Sequence, residues 1–500
     1  MKHTKILYLV LCLVLCAGMC LSFWDNVVSP TFSYGFDPSD MENFVLVDAA
    51  TLRSLLPKDV TAIVFTDALS PHGATLTDLS VKGEGGVVGW QSEEGFIIST
   101  RTKGQAVIFN PESAGLFANL SFLASIDLSL VDTSRVKDFM RFFYNCTALG
   151  TVDISSFSFD SALRTRSMFM NCVSLREVTV GKVNTSTLRD TAFMFSGTAQ
   201  LEAIDLSLCD LSAVICTTAM FQNTGAREIL LPDSLSVLGS FFFNHATRYS
   251  GDSFTLPAAA KELSGAHLFY NMGGESFSSF LVPEGNENFK SVDGILYSAD
   301  GERLLAVPKG KRFADGVFEI AEGTVFLGEL GLSRNTNAET LLLPNSYRVG
   351  VYTVQNHKDF SDISGSGNKN TGNSLNLFTY LFSGVKAYAV KADNPTYTAV
   401  DGALYEKRDD GGARALVALP VGFSGVLDIP EGVSEIKSEA IWTLSNASFD
   451  ALTEIRIPAS LTEIDEGQLE KINSLGASVT VSGENPVYTV SAEGLLVRKQ

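Results

Sequence analysis

Apolar residues recur along this chain with a period of 26. Phe117, Phe143, Phe169, Phe195 and Phe221 fall in one column, preceded by Leu116, Phe142, Met168, Met194 and Met220. Further columns hold Leu123, Leu149, Leu175 and Leu201, then Ile126, Val152, Val178 and Ile204, then Leu128, Ile154, Val180 and Leu206. Each unit ends in LxxIxL, whose alternation predicts a short strand with one buried side. The other half of a unit, such as "DTSRVKDFMRFFYNC", sets Val136, Phe139, Met140, Phe142 and Phe143 at mixed helical spacing. Asp132, Thr133 and Ser134 can cap the start of that predicted helix. One unit cannot bury its apolar side alone, whereas stacked units bury it continuously. The pattern predicts an α/β solenoid: a leucine-rich-repeat array with a parallel sheet on one face, a small β-rich N-terminal cap and inserted β-hairpins.

Two places after each Phe stand Asn119, Asn145 and Asn171, then Gly197, then Asn223. An Asn at each inner turn can hydrogen-bond backbone groups that a bend leaves unpaired, so this column reads as a structural ladder. Gly197 interrupts it with a residue that also tolerates a tight turn. Cys146 and Cys172 share a column and so sit on adjacent rungs. They are either a buried thiol pair or, with parallel strands about 4.8 Å apart, within disulfide reach. Cys209 falls in an apolar column. Cys216 shares its column with Asp138, Arg164 and Asp190 and is expected to be the exposed thiol. The fifth unit departs from the pattern, with Arg227 in the column of the core leucines.

Beyond Leu231-Pro232 the period loosens. "NENFKSVDGILYSADGERLLAV" from Asn286 returns as "NPTYTAVDGALYEKRDDGGARALVAL" from Asn394, and begins again as "NPVYTVSAEGLLVRKQ" from Asn485. Strand, Asp-Gly turn, strand reads as a β-hairpin set into the array. The third copy is expected to stop at Gln500 before its hairpin closes. The organisation expected is residues 1–22 a leader, 23–40 a linker, 41–110 a β-rich cap, 111–232 the regular repeats and 233–500 longer, irregular repeats with hairpin inserts, truncated at the C-terminal end. Within the last region "DFSDISGSGNKNTGNSLN", Asp359 to Asn376, is polar and Gly/Ser/Asn-rich and reads as a mobile excursion.

The leader pairs the basic "MKHTK" with an unbroken apolar run, Ile6 to Phe23. It reads as a signal peptide cut after Ser22, or as an uncleaved membrane anchor. Three of the seven cysteines lie in it, and four in the remaining exported chain do not make a disulfide scaffold. The formal net charge of −19 disfavours nucleic acid and anionic membrane surfaces as partners.

The units between 116 and 232, among them "MFMNCVSLREVTV" and "FFYNCTALGTVDIS", together with "NPTYTAVDGALY" and the opening "VTAIVFTDALSPHGATLTDLS", resemble the BspA-like leucine-rich-repeat surface proteins. The resemblance covers most of the chain after residue 40. It implies an exported, non-enzymatic and often adhesive protein, located outside the cell or on its surface, whose partners are host matrix or other cell-surface proteins.

Candidate chemistry is sparse. The five histidines form no H-E-x-x-H motif and no close pairs in sequence. There is no C-x-x-C, no G-x-S-x-G elbow and no P-loop, so no catalytic residue, metal or cofactor is assigned and no small-molecule substrate is expected. The Asp-Gly pairs at 300–301 and 410–411 read as hairpin turns. What remains is a surface. Between the apolar positions of the strands, successive rungs present Ser125, Asp127 and Ser129; Thr151, Asp153 and Ser155; Glu177, Thr179 and Gly181; Ala203, Asp205 and Ser207. This strip of short acidic and hydroxyl side chains is either a solvated face or a protein-binding surface that favours a basic partner.

Overall fold

In the computed structural model the described residues are 43–181, 184–264, 267–327, 335, 337–347, 351–352, 372–373, 384–420, 422–438, 440–441, 449 and 451–499. The leader and the linker assigned to 1–40 lie outside them. So does the polar stretch 359–376, apart from Gly372–Asn373, which pairs antiparallel with Val351–Tyr352.

The strands of the regular repeats are three residues long and lie in parallel, one rung above the next. Thr151–Asp153 pairs with Glu177–Thr179, and Ala203–Asp205 with Glu228–Leu230. Backbone bonds link these pairs into one ladder: Gly150 N–H donates to Ala124 O, Arg176 to Gly150, Glu202 to Arg176, and Arg227 to Glu202. On the N-terminal side, Ser125–Asp127 pairs with Ala62–Thr66, which in turn pairs with Gly95–Ser99. The middle residue of each triplet points inward and the flanking two point out, because successive side chains in a strand alternate faces.

The inward side is filled by a stack of phenylalanines. Phe117, Phe143, Phe169, Phe195 and Phe221 follow one another with ring centroids 5.5 Å apart and planes within 14° of parallel. The stack runs on through Phe243 at 5.7 Å and Phe269 at 6.0 Å. It therefore crosses the point where the sequence period loosens. The step from Phe221 to Phe243 is 22 residues, and the step to Phe269 is 26 again. Of the run Phe241–Phe243, the last two are fully buried and Phe241 lies at the edge.

The expected helical half of each unit is absent. Among the described residues the only α-helices are Ala49–Leu55 and Glu466–Ser474, both outside the regular repeats. The segments read as helices are instead tight turns carrying two left-handed residues four apart. The pairs are Gly115 and Asn119, Arg141 and Asn145, Ser167 and Asn171, Phe193 and Gly197, Ala219 and Asn223, Phe241 and His245, and His267 and Asn271, with φ between 53° and 75°. A helix cannot run through residues at positive φ. Each left-handed non-glycine residue costs about 1–2 kcal/mol. That cost is offset by a second ladder in which the N–H groups donate across to the next rung: Arg141 to Arg166 O, Asn145 to Met170 O, Ser167 to Ala192 O, Asn171 to Ser196 O.

Arg227 does not enter the core. The fifth rung is one residue shorter, so Ile204 pairs with Ile229 rather than with the residue 26 further on. Ala226 is fully buried in its place, while Arg227 is exposed. The shortened turn brings Gly225 against the preceding rung, where a Cβ would lie 2.1 Å from Ala199 O.

The hairpins follow the Asp-Gly signal. Phe289–Val292 turns at Asp293 and Gly294 into Ile295–Ser298, and Tyr397–Val400 turns at Asp401 and Gly402 into Ala403–Lys407, with positive φ at both turn residues in each case. A third antiparallel strand follows each, Arg303–Ala306 and Ala413–Ala418. The hairpin of the third copy does close, contrary to expectation: Tyr488–Val490 pairs with Leu496–Arg498. Its turn, Ser491 to Leu495, is longer and is bridged by Ser491, whose carbonyl accepts from Gly494 N–H. Each hairpin is entered through an Asn. Asn485 and Asn394 are buried; Asn485 Nδ2 donates to Pro458 O and Leu461 O, and its Oδ1 accepts from Val487 and Tyr488 N–H. Asn394 clips Pro344 O to Thr396 and Tyr397 in the same way.

Candidate binding face

The outward positions of the strands form one exposed strip. Register places Thr151 beside Glu177 and Asp153 beside Thr179, and Ala203 beside Glu228 and Asp205 beside Leu230. Ser125, Asp127, Ser129, Thr151, Asp153, Ser155, Glu177, Thr179, Asp205 and Ser207 are all exposed, and Gly181 is half-buried. The strip continues past the residues singled out in the sequence, through Glu228 and Leu230 and then Ser253 and Thr255. Leu230 and, two rungs on, Leu281 are more than 40% exposed, which gives this end an apolar character.

The aspartates of the strip have a second duty. The Oδ1 of Asp127 accepts from Ser129 N–H, that of Asp153 from Ser155, and that of Asp205 from Ser207, at 2.8–2.9 Å. These bonds close the chain reversal where each strand ends, as Asx turns do. The Ser207 hydroxyl and N–H hold the Asp205 carboxyl below its ordinary range. Ser125, Thr151, Glu177 and Thr179 carry no such bond from their side chains among the hydrogen bonds of the described residues. They are the members of the strip whose side chains are not tied to the turn. A shallow hollow of about 210 Å³ opens beside Glu177, Asp205, Leu208 and Cys209.

The Asn column, expected to hydrogen-bond backbone groups at the bends, occupies the left-handed positions of the turns. Asn119, Asn145, Asn171 and Asn223 are the left-handed residues of their turns, as Gly197 is at φ 75°. Asn tolerates that conformation better than other residues bearing a side chain. Asn145 Nδ2 donates to Asn119 Oδ1 at 3.2 Å, amide to amide rather than amide to backbone. The column continues as His245 and Asn271.

The four cysteines among the described residues are free thiols. Cys146 and Cys172 each donate to a carbonyl of the preceding rung, Phe117 O and Phe143 O, both at 3.0 Å. Burial pushes the Cys146 thiol up to about 12 and the Cys172 thiol well above its ordinary value. Cys209 is buried. Cys216 is not the freely exposed thiol expected: it is half-buried beside Arg166, Asp190 and Thr218, and desolvation raises it too. Its column is an ionic edge in which Asp138, Arg164, Asp190 and Cys216 bridge rung to rung, with Arg164 paired to Asp138 at 2.5 Å and Arg166 to Asp190 at 2.7 Å. Burial raises Asp138 in spite of Arg164. Because only the thiolate reacts, a thiol reagent at neutral pH should label none of these four rapidly in the native protein and all four in urea. Rapid native labelling of Cys146 or Cys172 would contradict this packing.

Sequence reading saw no close histidine pair, yet His245 and His267 both pack against Tyr270, each with ring centroids 5.3 Å apart. The signal was the 26-residue column, which aligns Phe241 with His267 and His245 with Asn271. Among the described residues no group of three or more His, Cys, Asp or Glu could hold a metal ion. Nor, among them, is any helix long and apolar enough to cross a membrane.

A family described as "Mycoplasma protein of unknown function, DUF285" matches residues 113–231. No curated protein matches the chain. Among solved structures, a leucine rich cell surface protein from Faecalibacterium prausnitzii is similar at 16% identity, covering 84% of this chain and 88% of that one, with a TM-score of 0.44. A leucine-rich repeat protein from Bacteroides ovatus is similar at 13% identity over 83% and 99%, with a TM-score of 0.32. The pneumococcal vaccine antigen PcpA is similar at 12% identity over 85% and 90%, with a TM-score of 0.28.

Proposed function

We propose that this chain is an exported, cell-surface protein of the BspA-like leucine-rich-repeat kind, a solenoid that works by binding other proteins and not by catalysis. Its partners would be host matrix proteins or proteins of neighbouring cells. The observation that carries this reading is the strip: strand after strand in register, exposed, mostly polar from Ser125 to Ser207, and uncovered by any described part of the chain. It lacks the Tyr, Trp and Arg that concentrate binding energy. Affinity per rung should therefore be modest and should accumulate along the array.

The test is biolayer interferometry of the purified protein against a panel of matrix and bacterial surface proteins. The variant combines Thr151→Lys, Glu177→Lys and Ala203→Lys, which leaves the aspartate turns intact. Saturable binding to one panel member, weakened about tenfold or more in the variant, is the expected result. Binding that the variant leaves unchanged would remove the strip from the reading.

A second reading is favoured by the Asx turns. If Asp127, Asp153 and Asp205 serve chiefly to end strands, the face is a solvated surface and the array a structural stalk. Saturation by no member of the panel would support it.

A further inference from the structure

We propose that His245, Asn271 and Lys309 form a pH-sensitive latch that fastens the last 26-residue step of the array to the exit of the first hairpin. Lys309 follows the third strand of the hairpin unit, and the adjoining Gly310 N–H donates to Phe277 O of the array. Lys309 Nζ donates to Asn271 Oδ1 at 3.4 Å. An ammonium has no acceptor, so this contact fixes which end of the amide faces the lysine. The other end, Asn271 Nδ2, meets His245 Nδ1 at 3.1 Å. An amide nitrogen is only a donor, so His245 Nδ1 must be the acceptor, and the latch requires the neutral ring with its proton on Nε2.

Protonation sets two donors against each other. Turning the amide over restores the histidine contact but presents Nδ2 to the lysine, so one of the two bonds is lost either way. The surroundings add to the effect. Tyr270 packs on His245 and on His267. His267 is held below its ordinary value by burial and then by the neighbouring His245. Lys309 is already a cation, and Lys311 beyond it is paired with Asp293 at 2.8 Å. A proton on His245 therefore joins a site that faces another histidine and an ammonium. The latched form binds fewer protons at His245 than the open one, so its stability declines as pH is lowered.

Hydrogen–deuterium exchange of the whole protein tests this, with times corrected for the intrinsic pH dependence of exchange. Protection in segments covering 241–249, 267–273 and 307–311 should fall about tenfold or more between about pH 7.5 and about pH 5.5. His245→Asn continues the Asn ladder at a left-handed position that suits Asn and carries no titrating ring. It should match the native protein at the higher pH and lose the drop. His267→Phe should keep it. A native protein with no drop overturns the latch. So does a drop that survives in His245→Asn, or one that disappears in His267→Phe alone.

Discussion

Replacing Phe169 with alanine should destabilise the regular repeats by about 3–5 kcal/mol. Phe169 is the third of seven stacked rings, is fully buried, and lies 5.5 Å from both Phe143 and Phe195. Each ring is both core filler for its own rung and the contact surface for the next. Truncation therefore removes apolar burial and two near-parallel ring contacts, and leaves a gap that short, hydrogen-bonded turns cannot close. In a stacked array stability is a sum of rungs and interfaces, so the loss should appear first as a lowered urea midpoint for the units around 143–221. Phe269→Ala, at the far end of the same stack, should cost less to these units. Equal loss from the two substitutions there would mean that the array unfolds as one block, and a small loss from Phe169→Ala would mean that the stack is not the source of its cohesion.

The second large effect is expected at Asn485. Its side chain makes four backbone hydrogen bonds while fully buried. Asn485→Ala leaves Pro458 O, Leu461 O, Val487 N–H and Tyr488 N–H without this partner, at about 1–3 kcal/mol for each group that finds no other. The closing hairpin, 488–498, should lose its exchange protection while residues 116–232 keep theirs. Asn485→Asp is the sharper variant. It keeps the acceptor but turns the donor into a carboxylate oxygen facing two carbonyls. Burial and the two facing carbonyls disfavour the charged form against the two N–H bonds that its other oxygen still accepts, so the damage should be greatest where the group is ionised and ease as acid protonates it. A neutral Asn485→Asp at pH 7 would show that the clip does not hold the hairpin.

Much of this was legible. The strand triplets, the Phe column and the Asp-Gly hairpins are spelled by side chains whose chemistry is specific to their place. The turns were not. Their left-handed positions are filled by Arg141, Ser167, Phe193 and Ala219, residue types with no preference for positive φ, so apolar spacing alone read as helix. Only the Asn column carried the conformational signal, and it invited a backbone role rather than a left-handed one. The shortened fifth rung was hidden for a related reason: Phe221 keeps the 26-residue count, and the slip falls after it, so Arg227 lined up with leucines it never joins. The strip was visible as a pattern, but not the bonds from Ser129, Ser155 and Ser207 that commit half of each aspartate to the fold. The histidine latch depends on a 22-residue step and on Lys309 arriving from a hairpin, neither of which local sequence announces.

At the left-handed positions of the turns the bonds run one way, whereas at the neighbouring edge Leu163 N–H donates back to Lys137 O and Arg189 N–H to Leu163 O. Arg141, Asn145, Ser167 and Asn171 each offer an N–H to a carbonyl about 25 residues later in the chain. On a ribosome the earlier rung is therefore made first and waits, its donors held by water, until the following turn has emerged to receive them. The growing end is always the unfinished one, and each newly delivered rung seals the one before it. The order of translation is thus also the order in which the bonds of these turn positions can be completed.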